Sequence, residues 1–256
     1  MNINDEFIKF EVYCFRIFED LINMNNNKNL QILFKCNCTN HTLCDSICNL
    51  QDIIKLKIQD GKIKDLGKNF NNLINLEYLD LDKNKLTVLP RNFCELNIKK
   101  LKLNNNRFEK FPIILLKMKK LVELEIRNCF LSNINLNVNK NKSVINIELF
   151  DLSNNKLLKI PNFCFEMKKL KILKLSNNLI KYIDNKIIEL NKLEKLIINK
   201  NKILKLPDII YKKKELIELR MRDNFIKVVS PLIEKLEKLE FLDLGKNMLR
   251  KIPSSI

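Results

Sequence analysis

The segment Leu76–Leu96 reads LEYLDLDKNKLTVLPRNFCEL, with apolar residues at places 1, 4, 6, 11, 14, 18 and 21 and asparagine at place 9. The same frame begins nine times, and all but two of the intervals between successive repeats are 23 residues. A fixed period of 20–29 residues indicates a solenoid, in which each repeat forms one coil that stacks on its neighbours. Coils 1 to 9 begin at Ile53, Leu76, Ile98, Leu121, Ile147, Leu170, Leu193, Leu216 and Leu239.

Each coil contains a predicted strand followed by an asparagine. Places 4 and 6, such as Leu79 and Leu81, are apolar and alternate with polar residues, which predicts a half-buried strand. An asparagine side chain both donates and accepts hydrogen bonds, so a stacked column of them can satisfy the backbone of the turns. Gly61 and Cys129 replace it in coils 1 and 4, where we expect a weaker ladder. The ladder consists of Asn84, Asn106, Asn155, Asn178, Asn201, Asn224 and Asn247.

This pattern resembles the leucine-rich-repeat superfamily, in its 23-residue class LxxLxLxxNxLxxLPxxIxxLxx. Coil 3 reads IKKLKLNNNRFEKFPIILLKM and coil 6 reads LKILKLSNNLIKYIDNKIIEL. The class is similar to the repeats of intracellular Ras-scaffold and Scribble-like adaptors. The resemblance implies an α/β solenoid curved into a horseshoe, with a parallel sheet on the concave face and short helices or extended segments on the convex face. It also implies protein–protein recognition on the concave face.

The predicted organisation is an N-terminal cap over residues 1–52, with one degenerate repeat, followed by nine repeats over residues 53–256. Counting back one period from Ile53 puts Leu30 at place 1 of the degenerate repeat. Before it, an apolar stripe through Phe7, Phe10, Cys14 and Leu21 fits a helix, and repeat spacing fits the same segment as a strand. We favour the helix, and expect either form to cover the open end of the first coil.

Two irregularities interrupt the nine repeats. Asn135–Lys142 lengthens coil 4 to 26 residues, which predicts a surface loop, either a contact loop or a tolerated expansion. The last repeat is incomplete, since it stops at place 18. We expect further sequence or a partner to cover its strand edge, because an uncovered edge invites pairing with another chain.

A cysteine and histidine cluster in the predicted cap raises the question of a metal. Zinc accepts four thiolate or imidazole ligands. In repeat register, however, the cysteines are spread around one coil, so we favour ordinary thiols and no metal over a zinc site. The candidate ligands are Cys36, Cys38, His41, Cys44 and Cys48.

Catalytic and cofactor motifs are absent from the sequence. His41 is the only histidine, which excludes histidine-based triads and HExxH sites. Three glycines cannot form a phosphate-binding loop or a dinucleotide fingerprint. We therefore expect a binding protein that is not an enzyme and has neither a cofactor nor a small-molecule substrate.

The net charge of +17 raises the question of nucleic acid. Places 3, 5, 7 and 8, which form the predicted concave face, carry 12 Lys or Arg and 9 Asp or Glu, a net of only +3. Much of the excess lies near places 22 and 23, where it forms a basic rim. We interpret this rim first as solubilising, next as a contact for an acidic protein or anionic membrane, and last as a nucleic-acid contact. The rim lysines are Lys119, Lys120, Lys168, Lys169, Lys192, Lys214, Lys235 and Lys238.

The candidate partner-binding site is on the predicted concave face, where alternating charges give way to aliphatic residues. Leu149, Ile172 and Ile197 lie there on successive strands. The charges elsewhere on this face can be explained by pairing between neighbouring strands, but aliphatic residues with arginine at their edge are typical of binding hot spots. The remaining candidates are Tyr78, Arg127, Arg220, Arg222 and Phe241.

The sequence therefore predicts an intracellular scaffold or adaptor for signal transduction, which binds another protein on the concave face. The first alternative is a regulatory subunit of a protein phosphatase or small-GTPase pathway, and the second is an electrostatic binder of nucleic acid or anionic membrane. No apolar stretch reaches the roughly 18 residues of a spanning helix, and the acidic N-terminus is unlike a secretory signal. We expect a cytoplasmic location, with the nucleus as an alternative.

Overall fold

The computed structural model describes residues 8–12, 29–34, 45–134, 136, 145–251 and 253. The chain forms two compact units, Met1–Leu124 and Glu125–Ile256. In each unit the strands are parallel and neighbour one another in chain order. This arrangement confirms the predicted leucine-rich-repeat solenoid, in which one coil contributes one strand.

The first unit contains strands β1 to β6, and β6 ends where the second unit begins. Backbone pairing joins β1 to β2, β2 to β3, β3 to β4, and β4 to β5, always in parallel. The strands are Ile8–Val12 (β1), Asn29–Phe34 (β2), Lys55–Gln59 (β3), Tyr78–Asp80 (β4), Lys100–Lys102 (β5) and Glu123–Glu125 (β6). The helices are the α-helix Asp45–Cys48 (α1) and the 3-10 helices Lys68–Asn72, Phe93–Glu95 and Ile113–Lys117.

The second unit contains strands β7 to β11, again paired in parallel from one coil to the next. The strands are Leu149–Asp151 (β7), Ile172–Lys174 (β8), Lys195–Ile197 (β9), Glu218–Arg220 (β10) and Phe241–Asp243 (β11). The 3-10 helices are Asn162–Glu166, Asn185–Glu189, Asp208–Lys212 and Pro231–Lys235.

The helices opposite the strands are short 3-10 turns, and the residue at or near place 15 determines how each begins. Pro161 and Pro207 precede two of them with extended backbone angles, because proline fixes φ and has no N–H to leave unbonded. Where proline is missing in coil 6, the Asp184 carboxylate accepts a hydrogen bond from the Lys186 N–H at 2.9 Å. In coil 8, Ser230 caps the helix in the same way, and Pro231 follows it.

The core of each coil is formed by the apolar places of the frame. In coil 6, for example, Leu170, Leu173 and Leu175 are fully buried. Aromatic rings fill the wider parts of the core. Phe150 and Phe163 pack with ring centres 6.1 Å apart and planes tilted by 50°, a favourable aromatic geometry. The apolar frame that defines the repeats therefore corresponds to buried positions.

The asparagine at place 9 connects each coil to the preceding one. Asn201 is 5% exposed, and its Nδ2 donates to the carbonyl of Leu175 in the preceding coil at 3.0 Å. Within its own coil, the same nitrogen donates to the carbonyls of Ile198 and Asn199. Its Oδ1 accepts a hydrogen bond from the N–H of Ile180 in the preceding coil at 3.0 Å. One side chain therefore satisfies backbone groups of two coils.

The residue at place 8, directly before the asparagine position, has a left-handed backbone conformation in all nine coils, with φ between 52° and 61°. Asn and Asp tolerate this conformation better than most residues, and they occupy six of the nine positions. Coils 1 and 4, which lack the asparagine, also have positive φ at place 10, in Lys62 and Phe130. The residues at place 8 are Asp60, Lys83, Asn105, Asn128, Asn154, Asn177, Lys200, Asp223 and Lys246.

The N-terminal segment differs from the favoured interpretation. Ile8–Val12 is a strand, so the helix predicted through Phe7, Phe10, Cys14 and Leu21 is wrong over residues 8–12. Phe7, Cys14 and Leu21 lie outside the described residues. Leu30 pairs with Leu56, which is at place 4 of coil 1, and the predicted register with Leu30 at place 1 is therefore wrong by three residues. The apolar stripe fits both periods, and pairing with β2 gives the backbone of β1 its hydrogen-bond partners. The role of this segment as a cap stays a prediction.

Two other expectations depend on parts of the chain where the description is incomplete. The predicted coil 4 loop lies outside the described residues except for Leu136. In coil 9, Leu242 and Leu244 are only half-buried, whereas the corresponding Leu219 and Met221 of coil 8 are buried. The predicted cover for this strand stays a prediction.

Lys213 occupies place 21 of coil 7, where the frame has an apolar residue. It is 3% exposed, and its Nζ donates to the carbonyl of Leu190 in the preceding coil. Burial lowers the pKa of its ammonium to about 8, because the charged form is poorly solvated there. The aliphatic stem thus replaces the usual apolar side chain and places a cation inside the coil.

We expect Asn201→Ala to lower the free energy of unfolding by roughly 2 kcal/mol, because it leaves the buried Ile180 N–H without an acceptor. It also removes one of the two hydrogen bonds to the Leu175 carbonyl, which keeps the one from Asn178. Urea unfolding followed by circular dichroism measures this. The control is Asn191→Ala, which removes an exposed asparagine outside the ladder. Equal stability of the two variants would contradict the structural role of the ladder.

We expect the free energy of unfolding of the wild type to rise relative to that of the Lys213→Met variant as the pH rises from 8 to 10. The folded pKa of Lys213 is below its unfolded value, so in this range the unfolded chain binds more protons and stability rises with pH. The relative gain over this range should reach roughly 2 kcal/mol, because the slope is at most about 1.4 kcal/mol per pH unit and flattens near both pKa values. Urea unfolding at each pH tests this, and the exposed Lys212→Met provides the control. A constant difference between wild type and Lys213→Met would show that the ammonium is not desolvated.

Candidate protein-binding face

The second unit presents the polar side of its strands outward, and we call this surface the sheet face. It is formed by two rows of side chains that follow the backbone register across β7 to β11. The place-3 row is Leu149, Ile172, Lys195, Glu218 and Phe241. The place-5 row is Asp151, Lys174, Ile197, Arg220 and Asp243. The resemblance identifies this as the face expected to be concave.

The three predicted aliphatic residues do not form one cluster. Leu149 and Ile172 are direct neighbours in the place-3 row, and both are half-buried. Ile197 lies in the other row, where its register neighbours are Lys174 and Arg220. Strand register therefore brings two of the residues together and sets the third apart, two residues further along the next strand.

The three predicted arginines are held by contacts within the second unit. Arg127 contacts the Glu125 carboxylate at 3.0 Å and that of Asp151 at 3.8 Å. Arg222 lies 3.8 Å from the Asp243 carboxylate. Their side chains are still 41% and 49% exposed. They are oriented by their own neighbours and keep surface that a partner can contact.

Arg220, Phe241 and Lys195 meet around a carboxylate that was not among the predicted site residues. Glu218 is 7% exposed, pairs with Arg220, and lies 3.1 Å from the Lys195 ammonium. The Arg220 guanidinium also stacks 4.2 Å from the centre of the Phe241 ring, a cation–π contact. Burial by itself would raise the pKa of the Glu218 carboxyl, but hydrogen bonds from Arg220 and Lys195 outweigh it and lower that pKa.

Lys174 is the second residue that sequence reasoning did not select. It lies in the place-5 row beside Asp151 and Ile197, yet its ammonium makes no ion pair with the described residues. The Asp151 carboxylate instead accepts the Ser153 N–H at 2.9 Å and is approached by Arg127. The register of the two rows, taken with the charges at each place, is the signal that could have identified both Lys174 and Glu218.

The remaining predicted residues lie elsewhere. Tyr78 belongs to the first unit, where its hydroxyl lies 3.4 Å from the Asp80 carboxylate and Lys57 stands over its ring. It is therefore not counted with the sheet face of the second unit.

The candidate zinc ligands Cys36, Cys38, His41 and Cys44 lie outside the described residues, and Cys48 is buried. Within the described ranges, no three His, Cys, Asp or Glu side chains are grouped so as to hold a metal ion. The absence of zinc from the chain stays a prediction. None of the helices in the described part of the chain combines the length and hydrophobicity that crossing a bilayer requires.

Sequence comparison supports the repeat assignment. The chain matches the leucine-rich-repeat family over residues 75–96 and again over residues 145–203. The chain contains leucine-rich repeats in these segments. Proteins built from such repeats are in general binding modules rather than enzymes. A comparison with curated proteins found no match.

Solved structures show the same fold. A leucine-rich-repeat protein of Leptospira interrogans superposes with a TM-score of 0.80 at 27% identity, over 97% of this chain and 62% of that protein. The chain thus spans less than two thirds of the length of that relative. An internalin of Listeria monocytogenes gives a TM-score of 0.64 at 20% identity, over 95% of this chain and 74% of that one. The plant peptide hormone receptor RGFR1 gives 0.52 at 18% identity, over 97% and 49%.

Proposed function

We propose that the sheet face of the second unit binds a protein partner, so that the chain acts as an interaction scaffold or adaptor. The observation that carries this proposal is the half-buried pair Leu149 and Ile172 beside the ammonium of Lys174, which has no ion-pair partner among the described residues. Leucine-rich-repeat folds in general present surfaces for protein partners, so we expect the partner to be a protein.

The aliphatic pair supplies what the centre of an interface needs. Charged side chains are depleted there, because each loses its hydration on binding. Burial of aliphatic surface instead stabilises the complex, by about 25 cal/mol for each Å² removed from water. Leu149 and Ile172 occupy adjacent strands and form one continuous apolar contact. A partner that covers both would also cover part of Lys174, so we expect it to place an acidic or carbonyl oxygen there.

The arginines strengthen the proposal because they are already oriented. An Arg side chain loses rotamer freedom when it is ordered at an interface, and this loss weakens binding. Arg220 is held between Glu218 and the Phe241 ring, and Arg127 is held by Glu125. Their remaining exposed surface can therefore contact a partner at a lower entropic cost than that of mobile arginines.

We further propose that this binding takes place inside the cell, in the cytoplasm. Cys164 is fully buried, and burial raises the pKa of its thiol, so that it stays protonated and unreactive. Cys94 lies in a different coil from Cys164 and is also a thiol. Single thiols in separate coils suit a reducing compartment better than a disulfide framework.

We expect Ile172→Asp to weaken the partner's binding by about 2 kcal/mol, or roughly thirtyfold, because it places a charge in the apolar centre of the interface. A photo-reactive amino acid at position 172 would first cross-link the partner in native cells and allow its identification. Calorimetric titration of that partner with the wild type and the variant then measures the loss.

The matched control is Ile113→Asp, which changes an isoleucine that is 53% exposed on a 3-10 helix of the first unit. This change should leave the affinity at the wild-type value. Unchanged affinity of a well-folded Ile172→Asp variant would contradict the proposal, as would an equal loss in both variants.

A further inference from the structure

A second exposed surface of the same unit follows the asparagine turns. Places 10, 12 and 13 of coils 5 to 9 form a surface that we call the lateral band, and they read K-L-K, L-K-Y, K-L-K, F-K-V and M-R-K. Cations and apolar residues alternate along each of the first four coils and also from one of these coils to the next. The band lies within Lys156–Lys159, Leu179–Tyr182, Lys202–Lys205, Phe225–Val228 and Met248–Lys251.

Backbone stacking directs these side chains outward. The N–H at place 10 donates to the carbonyl at place 11 of the preceding coil, as from Lys202 to Ile180 at 2.8 Å and from Phe225 to Ile203 at 2.9 Å. Ile180 and Ile203 are fully buried, so places 10 and 12 on either side of them face solvent. Leu204 at place 12 is 60% exposed and Val228 at place 13 is 65% exposed. Large apolar side chains thus project from the surface in successive coils.

The charge of the band is entirely positive. It contains eight Lys or Arg residues and no Asp or Glu, although the whole chain has 47 basic and 30 acidic residues. None of the eight cations forms an ion pair with the described residues. The basic rim differs, since Lys168 pairs with Glu189 and Lys238 pairs with Glu215. The positive charge of the band therefore exceeds what the composition of the chain would give and is not neutralised.

We propose that the lateral band docks on an anionic phospholipid surface. Lysine side chains are long enough to reach lipid phosphates while their stems pack beside apolar neighbours. The intervening side chains, such as Leu204 and Val228, then enter the boundary between the headgroups and the acyl chains. With strands about 4.8 Å apart, five coils give a contact about 20 Å long.

A lipid surface fits the band better than a folded acidic protein does. A protein interface usually has a continuous apolar centre with a polar rim, whereas here every apolar side chain in coils 5 to 7 has a cation beside it. Folded proteins also present charges of both signs, and the band contains no acid to pair with a basic group of a partner. An anionic leaflet has a uniform negative potential that attracts each Lys or Arg near it.

Nucleic acid fits less well for a different reason. Phosphate backbones are bound by cations and by hydrogen-bond donors, and single strands are bound by aromatic rings on which bases stack. The band exposes two rings, Tyr182 and Phe225, but its most exposed apolar residues, Leu204 and Val228, are aliphatic and neither donate to phosphates nor stack on bases. The lateral band is distinct from the sheet face, so this proposal stands independently of the proposed protein binding.

Vesicle flotation tests the proposal with the full chain. The wild type should bind vesicles of phosphatidylcholine with about one third phosphatidylserine, and should not bind phosphatidylcholine alone. Replacing Lys181, Lys205 and Lys227 by Glu should weaken binding by about a hundredfold or more, since each lysine contributes about fivefold. The matched control replaces Lys169, Lys192 and Lys214 of the rim by Glu, which changes the net charge equally and should weaken binding far less.

A fluorescent reporter tests whether the band itself enters the lipid. The chain has no tryptophan, so Leu204→Trp introduces a single probe in the band, and Ile113→Trp introduces one outside it. Anionic vesicles should shift the emission of the first probe to shorter wavelengths and leave the second unchanged. Melting temperatures within the wild-type range would show that each variant is folded.

Three results would overturn the proposal. The first is undiminished vesicle binding by the folded variant with Glu at positions 181, 205 and 227. The second is an equal loss in the rim variant, which would assign binding to net charge. The third is no vesicle binding by the wild type, together with duplex RNA or acidic-protein binding that the band substitutions remove.

Discussion

The turn that follows a strand is closed by an asparagine wherever the next coil carries one at place 9, and the exposed surfaces depend on this closure. Asn178, for example, donates to the Leu152 carbonyl and accepts the Leu157 N–H of the preceding coil. Because the strand before the asparagine and the segment after it are both bound to the same neighbouring coil, the register of one fixes the register of the other. An apolar residue in place of Asn178 would leave the buried Leu157 N–H without its acceptor, whereas the Leu152 carbonyl would keep its hydrogen bond from Asn155.

The closed turn separates two surfaces of different character in the second unit. Before the turn, the sheet face neutralises most of its charge internally, as in Glu218 with Lys195 and Arg220, and it presents Leu149 and Ile172 as an aliphatic pair in the place-3 row. After the turn, the lateral band has cations that form no ion pair within the described part of the chain, and apolar residues that project singly. The first surface suits a protein with its own apolar centre, and the second suits a continuous anionic surface. The two proposals thus concern different surfaces of the same coils.

The sequence predicts the repeats well because apolar spacing and the asparagine at place 9 are local and recur in most coils. It predicts the N-terminal strand poorly because Phe7, Phe10 and Cys14 fit a helical stripe as well, and pairing between β1 and β2 depends on residues about 22 positions apart. For the site, sequence identifies the outward places but not the contacts between them. The separation of Ile197 from Ile172 and the lack of an ion pair at Lys174 depend on strand register and on side-chain conformation. The lateral band could have been found by counting charges at places 10, 12 and 13.

Hydrogen exchange measured by NMR in an Asn178→Ala variant tests the asparagine closure most directly. The substitution removes the acceptor of the Leu157 N–H, while the equivalent Ile203 N–H keeps its acceptor in Asn224. We predict that exchange at Leu157 accelerates by about tenfold or more, and that Ile203 keeps its wild-type protection. Continued protection of Leu157, or equal acceleration at both residues, would contradict the claim that the place-9 asparagine closes the turn of the preceding coil.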